Sequence, residues 1–340
     1  VAIVDKGEGQ TPESLPGTLM SLHVGNKKNI NFAQGKWNQG GSGAIRHTGA
    51  DSGRTSMQFV LTKRNPNIVK NFIKEQVGKY DEWSFTILRR DRPPKGSTDV
   101  SEVTYLSPLE NNMPLSFKSD KLPIFPGKDG NQFGKDSEYG TLIILYEYNL
   151  ATSSAIRGST SLYRRLDAQL PRLPLPVRLY ETRKHVGVSE REQSLTMRGF
   201  SNFQENQYIK KQKSSPLEEI SPRRGFIRCE NYKITYDIFC FKKGLGKTYI
   251  PGNAGLLWTV NGQTHAITKQ KSIFNIDKLS FNEITEDLIV IIDCTDISGG
   301  DREDFFKSSR DRLDTDFHLY KEVRDSLIDD LSKHEDLQNI

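Results

Sequence analysis

VAIVDKGEGQ at residues 1–10 and KWNQGGSGA at residues 36–44 are the stretches on which the fold turns. The four apolar residues Val1 to Val4 predict a buried strand, and Asp5-Lys6-Gly7-Glu8-Gly9 leaves it in a turn that two glycines make possible. A carboxylate is thereby held at a strand end. Further on, Asn38-Gln39-Gly40-Gly41-Ser42-Gly43 supplies a glycine-rich loop whose bare backbone N–H groups suit phosphate oxygens. Asp-x-Gly-x-Gly alone also occurs in plain hairpins and calcium loops. The ordered pair is what suggests one loop reading a base and another wrapping phosphates.

A third element, Gly140-Thr141 at the head of TLIILYEY, completes a pattern that resembles the GHKL superfamily of ATP-binding domains. That superfamily includes gyrase B, MutL, histidine kinases, heat-shock chaperones and MORC proteins. The resemblance implies that Asp5 bonds the adenine amino group, with Gly7 and Gly9 shaping the turn. Gly40, Gly41, Ser42 and Gly43 would cover the triphosphate and Asn38 would cap the next element. Thr141 would stand behind the adenine, and Lys27 or Lys28 would neutralise phosphate charge. Solvated lysines in a loop explain the last pair equally well. The implied fold is α/β: a GHKL ATP-binding sandwich followed by a second α/β domain of the transducer, ribosomal-S5-like kind. The helix that carries the catalytic glutamate and the magnesium-holding asparagine in this superfamily is expected before Val1, so neither residue is assigned.

At 340 residues the chain suits two domains. The expected boundaries are 1–150 for the ATP-binding domain, 151–176 for a linker, 177–300 for the transducer-like domain and 301–340 for a helical tail. No apolar run approaches the roughly twenty residues of a membrane helix, so a soluble, cytoplasmic protein is expected. Cys229, Cys240 and Cys294 are odd in number and widely spaced, which predicts buried reduced thiols and no metal site. The sequence starts on valine and reads as a piece of a longer chain.

Thr11 to Pro16 predicts a turn into a short helix with Leu15, Leu19, Met20 and Leu22 on its apolar face. MQFVLTKR, WSFTILRR and VTYLSP alternate as neighbouring antiparallel strands do. The basic pairs Lys63-Arg64 and Arg89-Arg90 are expected as solvated strand ends, His47 as a packed or exposed histidine, and residues 111–137 as a long connection. In the second domain, the charged run from Asn202 to Arg228 suits a solvated loop better than a nucleic-acid surface, given a net charge of only +5.

Gly244-Leu245-Gly246-Lys247-Thr248 is rejected as a P-loop, because the pattern needs a glycine at Phe241 and a helix afterwards. Trp258-Thr259-Val260-Asn261-Gly262-Gln263 is similar to the Val-Asn-Gly-Arg segment of MutL and gyrase B transducers, with glutamine in place of arginine. As a bare pattern it is a type I′ hairpin. Lys247, Lys269 and Lys271 are candidates for the lysine that the resemblance sends to the γ-phosphate. The tail carries an apolar stripe from Phe305 to Leu331 at helical spacing.

The expected activity is therefore an ATP-binding and ATP-hydrolysing conformational switch using ATP and Mg2+. Lid closure would couple to the second domain, with dimerisation and a DNA or protein partner, in MORC-like DNA handling or bacterial anti-phage defence. The alternative is a nucleic-acid-binding or scaffold protein with a non-catalytic nucleotide fold.

Overall fold

A computed structural model describes residues 1–21, 43–49, 55–69, 81–94, 96–126, 136–150, 154–158, 161–183, 194–209, 215–275, 279, 281, 283–307, 312–338 and 340. The chain is mixed α/β and separates into two compact units, Val1–Ala151 and Thr152–Ile340.

Unit 1 is built on an antiparallel sheet. Its strands are β1 (Ala2–Asp5), β2 (Ser56–Lys63), β3 (Glu82–Asp91), β4 (Glu102–Tyr105), β5 (Leu115–Lys118) and β6 (Gly140–Leu145). Their spatial order is β1-β6-β2-β3-β4, and β5 pairs with the start of β3. The predicted neighbours β2, β3 and β4 pair in sequence order. Alternation separates the two faces of the sheet. On one face Val60 and Leu88 pack with Leu15 and Ile45, while on the other Leu61 packs with Trp83 and Ile124.

Four expectations for this unit need correction. The opening strand is not buried: β1 lies at the edge of the sheet order, Ile3 is 51 % exposed and only Val4 is half-buried. Leu15 is buried, but residues 12–20 form successive turns and no helix. The long connection contains β5, because Leu115–Lys118 finds an open edge on β3. Lys63 is no solvated strand end: it is 4 % exposed, and its ammonium pairs with Asp81 at 2.9 Å and donates to the Ser119 carbonyl at 3.0 Å.

Unit 2 holds a five-stranded sheet of β9 (Arg223–Cys229), β10 (Tyr232–Cys240), β11 (Ala254–Val260), β12 (Gln263–Lys269) and β13 (Leu288–Asp293), ordered β12-β11-β13-β10-β9. The only parallel pair described is β11 with β13. A separate pair joins β7 (Arg178–Tyr180) and β8 (Ser194–Thr196). Two hydrophobic clusters cover the two faces of the main sheet. One gathers Phe200, at the start of α2 (Phe200–Ile209), against Phe239, Phe241 and Leu257. The other takes the buried stripe of α4 (His318–Leu331), namely Leu319, Val323, Leu327 and Leu331, with Trp258 and with Phe305 from α3 (Gly299–Phe305). The apolar stripe of the tail is thus satisfied within its own unit.

Asn261 and Gly262, with φ of 50° and 76°, make the β11–β12 hairpin turn that the Asn-Gly pair predicts. Of the stretch expected as a linker, α1 (Leu162–Gln169) docks on this hairpin: Thr264 donates to the Ala168 carbonyl at 2.7 Å. The charged run from 202 to 228 is likewise no solvated loop over its described part. Arg224 pairs with Glu205 and Asp237, and Arg223 with Asp336, so these two guanidinium groups face carboxylates of the same unit, while Arg228 lies over the Phe226 ring.

Cys229, Cys240 and Cys294 are free and buried, as expected. Burial pushes the Cys240 thiol up to about 12 and raises the other two. No helix among the described residues is long and apolar enough to cross a membrane.

Candidate functional site

Asp5 ends β1 directly opposite Thr141 near the start of β6, and Thr141 in turn stands opposite Thr62 on β2. Opposed residues of an antiparallel ladder point to the same face. Asp5, Thr141 and Thr62 therefore form one row, which Ser84 of β3 continues. The row runs from solvent into the core: Asp5 is exposed, Thr141 is 5 % exposed, and Thr62 and Ser84 are fully buried.

Glycine is what allows the backbone to converge here. Gly9 has φ of +64°, and a Cβ on it would stand 1.8 Å from the Lys63 carbonyl oxygen. Gly140 has φ of +131°, and a Cβ there would meet the Asp5 carbonyl oxygen at 2.4 Å. Any side chain at either position would push the Asp5 turn off the sheet. The turn is further tied to the end of β2 by Asn65 N–H on the Glu8 carbonyl at 2.7 Å, by Gln10 N–H on Thr62 Oγ1 at 3.0 Å and by Arg64 on the Gly9 carbonyl at 3.0 Å. Asp5 Oδ1 accepts the Gly7 N–H at 2.8 Å, which fixes the carboxylate of an exposed residue.

The segment 43–49, which follows the second glycine loop in sequence, meets the opposite end of β2. Gly43 has open space around it, and Ile45 just beyond is buried beside Val60. Ser56 donates to the Thr48 carbonyl at 2.7 Å and Met57 N–H to Thr48 Oγ1 at 3.0 Å. From Ser56 to Thr62 the strand rises about 20 Å, so the Asp5 turn and the segment 43–49 meet opposite ends of β2. Lys27, Lys28, Asn38, Gly40, Gly41 and Ser42 lie outside the described residues. His47 is exposed and meets Tyr148 edge-on at 6.2 Å between ring centroids.

Of the expected site residues, the structure brings Asp5, Gly7, Gly9 and Thr141 together. It adds Thr62 and Gln10, which sequence reading missed. The signal for Thr62 was a hydroxyl at an inward position beside the apolar Phe59-Val60-Leu61; Gln10 left none.

In unit 2 the P-loop-like stretch behaves differently. Gly244 and Gly246 donate their N–H groups to the Asp287 carboxylate at 2.8 and 2.6 Å, and Lys247 pairs with Glu286 at 2.9 Å. Lys269 donates to the Gly252 carbonyl at 2.6 Å. Groups that would hold a phosphate are here engaged by the protein's own oxygens. Among the described residues no cluster of three or more His, Cys, Asp or Glu side chains is placed to hold a metal ion.

No protein-family model and no curated protein matches the chain. Among solved structures it is similar to the B-subunit of the DNA gyrase from Myxococcus xanthus, at 11 % identity and a TM-score of 0.45, covering 99 % of this chain and 83 % of that one. It is also similar to the 43K ATPase domain of Thermus thermophilus gyrase B in complex with an aminocoumarin, at 9 % identity and a TM-score of 0.35, covering 99 % and 77 %. At these identities and TM-scores the likeness decides nothing about the site, whose reading stands on its own residues.

Proposed function

We propose that unit 1 is an ATP-binding domain of the GHKL type. The observation that carries this reading is the row Asp5–Thr141–Thr62, assembled from both ends of the unit and made possible by Gly9 and Gly140. An exposed carboxylate beside a largely buried hydroxyl would suit the edge of a base that offers an amino donor next to a ring nitrogen. The glycine loop ending at Gly43 would close over the phosphates with its backbone N–H groups.

Hydrolysis, slow phosphoryl transfer to water, is the chemistry that the resemblance adds. The described residues hold no cluster that would carry Mg2+, so no step is assigned to a metal here. Nucleotide-driven closure, coupling to unit 2 and dimerisation would follow from binding. Sedimentation with and without a non-hydrolysable ATP analogue tests the last of these.

The primary test is calorimetric titration of Mg-ATP into the wild type and Asp5→Ala. The wild type is expected to bind, and Asp5→Ala to lose at least tenfold in affinity, about 1.4 kcal/mol. Equal binding by both proteins, or none by the wild type, would falsify the reading and favour a structural role for the glycine loops.

A further inference from the structure

β9 is the last strand of its sheet, so one edge meets β10 and the other has no strand beside it among the described residues. The two-residue turn Glu230-Asn231 closes on the pair Cys229–Tyr232. A closing pair of this kind bonds across the ladder, and alternation then turns the N–H and C=O groups of Arg228, Phe226 and Arg224 away from β10. The same three residues carry the exposed side chains of the strand, while Ile227 and Cys229 are buried in the cluster that takes the stripe of α4. Every second residue therefore presents both its backbone and its side chain to solvent.

The side chains along this edge put cations around an apolar centre. Phe226 is 50 % exposed, with the Arg228 guanidinium 5.7 Å and the Lys233 ammonium 4.8 Å from its ring centroid. Lys233 stands directly opposite Arg228 across the ladder. Arg224 is engaged by Asp237 and Glu205, whereas Arg228 and Lys233 pair with no carboxylate among the described residues. A second copy is a poor occupant, because two β9 edges paired antiparallel about Phe226 would set Arg228 against Arg224. We infer that the open edge of β9 is a docking site for an extended acidic segment of a partner protein. It adds as a further strand, with a carboxylate against Arg228 and Lys233 and an apolar side chain against Phe226. A peptide backbone supplies a donor and an acceptor at the strand's own spacing, which a polyanion without a peptide backbone does not. The inference stands on unit 2 alone and is independent of the nucleotide reading of unit 1.

The test is fluorescence anisotropy on the full chain with a labelled Thr-Glu-Val-Phe-Val-Glu-Thr peptide. Its counterparts are the same peptide with lysine for glutamate, and two versions N-methylated at alternate amides, one in each phase. The glutamate peptide is expected to bind at least tenfold more tightly than the lysine one. The two methylated versions should differ by about fivefold or more, since only one phase turns its N–H groups to β9. Arg228→Glu should lose about tenfold for the glutamate peptide and gain for the lysine one, and Phe226→Ala should lose about fivefold. Failure of the glutamate peptide to bind, equal binding of the two charge forms, or equal binding of the two methylated forms overturns the inference. So does tighter, Arg228-dependent binding of an oligothymidylate, which would make the edge a nucleic-acid surface. Should Arg228→Glu fail to fold, the peptide comparisons on the wild type decide alone.

Discussion

Two glycine loops of this chain use the same backbone chemistry to opposite ends. In unit 1 the turn from Asp5 to Gly9 is clamped by its backbone and leaves an exposed aspartate. In unit 2 the turn from Gly244 to Lys247 is filled: its N–H groups hold the buried Asp287 carboxylate and its lysine pairs with Glu286. Glycine grants close approach in both cases, with Gly9 against Lys63 and Gly246 against the Glu286 carbonyl oxygen at 2.0 Å from a would-be Cβ. What separates a candidate binding loop from a structural one is whether the protein's own atoms already occupy the polar groups.

The largest effects expected come from the clamps themselves. Gly9→Ala and Gly246→Ala should each cost about 3 kcal/mol or more, since the added carbon meets backbone and, for Gly9, φ of +64° is strained for any side chain. Urea unfolding checks this, and a loss under about 1 kcal/mol at either site would show that the loops relax where the comparison makes them rigid.

Next come the two aspartates, where the comparison predicts a crossover. Asp287→Ala strands the buried Gly246 N–H and leaves the Gly244 N–H to solvent, and should cost about 1–3 kcal/mol without touching nucleotide affinity. Asp5→Ala should leave stability within about 0.5 kcal/mol while abolishing tight ATP binding. Matched melting and titration curves on both variants would break the contrast if the two behave alike.

A third carboxylate sharpens it through pH. Asp167 is buried in α1, and among the described residues its Oδ1 receives no hydrogen bond. Burial lifts it to about 6 from an ordinary 3.8. Its charge therefore penalises the folded state above pH 6, and the penalty is withdrawn as pH falls towards 3.8. Asp167→Asn should raise stability by roughly 2 kcal/mol at about pH 8 and by nothing measurable near pH 3.5, as read from unfolding at both values. Glu181 has the reverse sign. Hydrogen bonds from Arg183 hold it down at about 2 from 4.5, so its contribution is present above 4.5 and lost as pH falls towards 2.

The smallest effect is expected at Lys247. Both it and its partner Glu286 are exposed, and Lys247→Met should move the melting temperature by no more than about 1 °C. ATP affinity should be unchanged as well. A clear drop in ATP binding would mean that this lysine leaves Glu286 for a phosphate.

Much of unit 1 was legible because alternation fixes which residues face the core. MQFVLTKR and WSFTILRR pair as their pattern predicts, and Gly140-Thr141 lands opposite Asp5. β5 was not legible, since the alternation of Leu115-Ser116-Phe117-Lys118 lasts only four residues in a stretch rich in Pro, Gly and Lys and becomes a strand by finding an edge. The charged run near Arg224 was misread because its partner Asp237 lies on the following strand, and an ion pair across strands leaves no local signature. Thr62 escaped notice for a related reason: its hydrogen-bond partners Thr141 and Gln10 lie far from it in sequence.

The three sulfurs carry a practical consequence. All of them sit in the core of unit 2, while unit 1 contains no cysteine at all. A maleimide dye added to the native protein thus acts as a stopwatch for the opening of one unit alone, blind to events at Asp5. A single cysteine introduced on the surface of unit 1 would accept a fluorophore at once, before the native thiols come within reach.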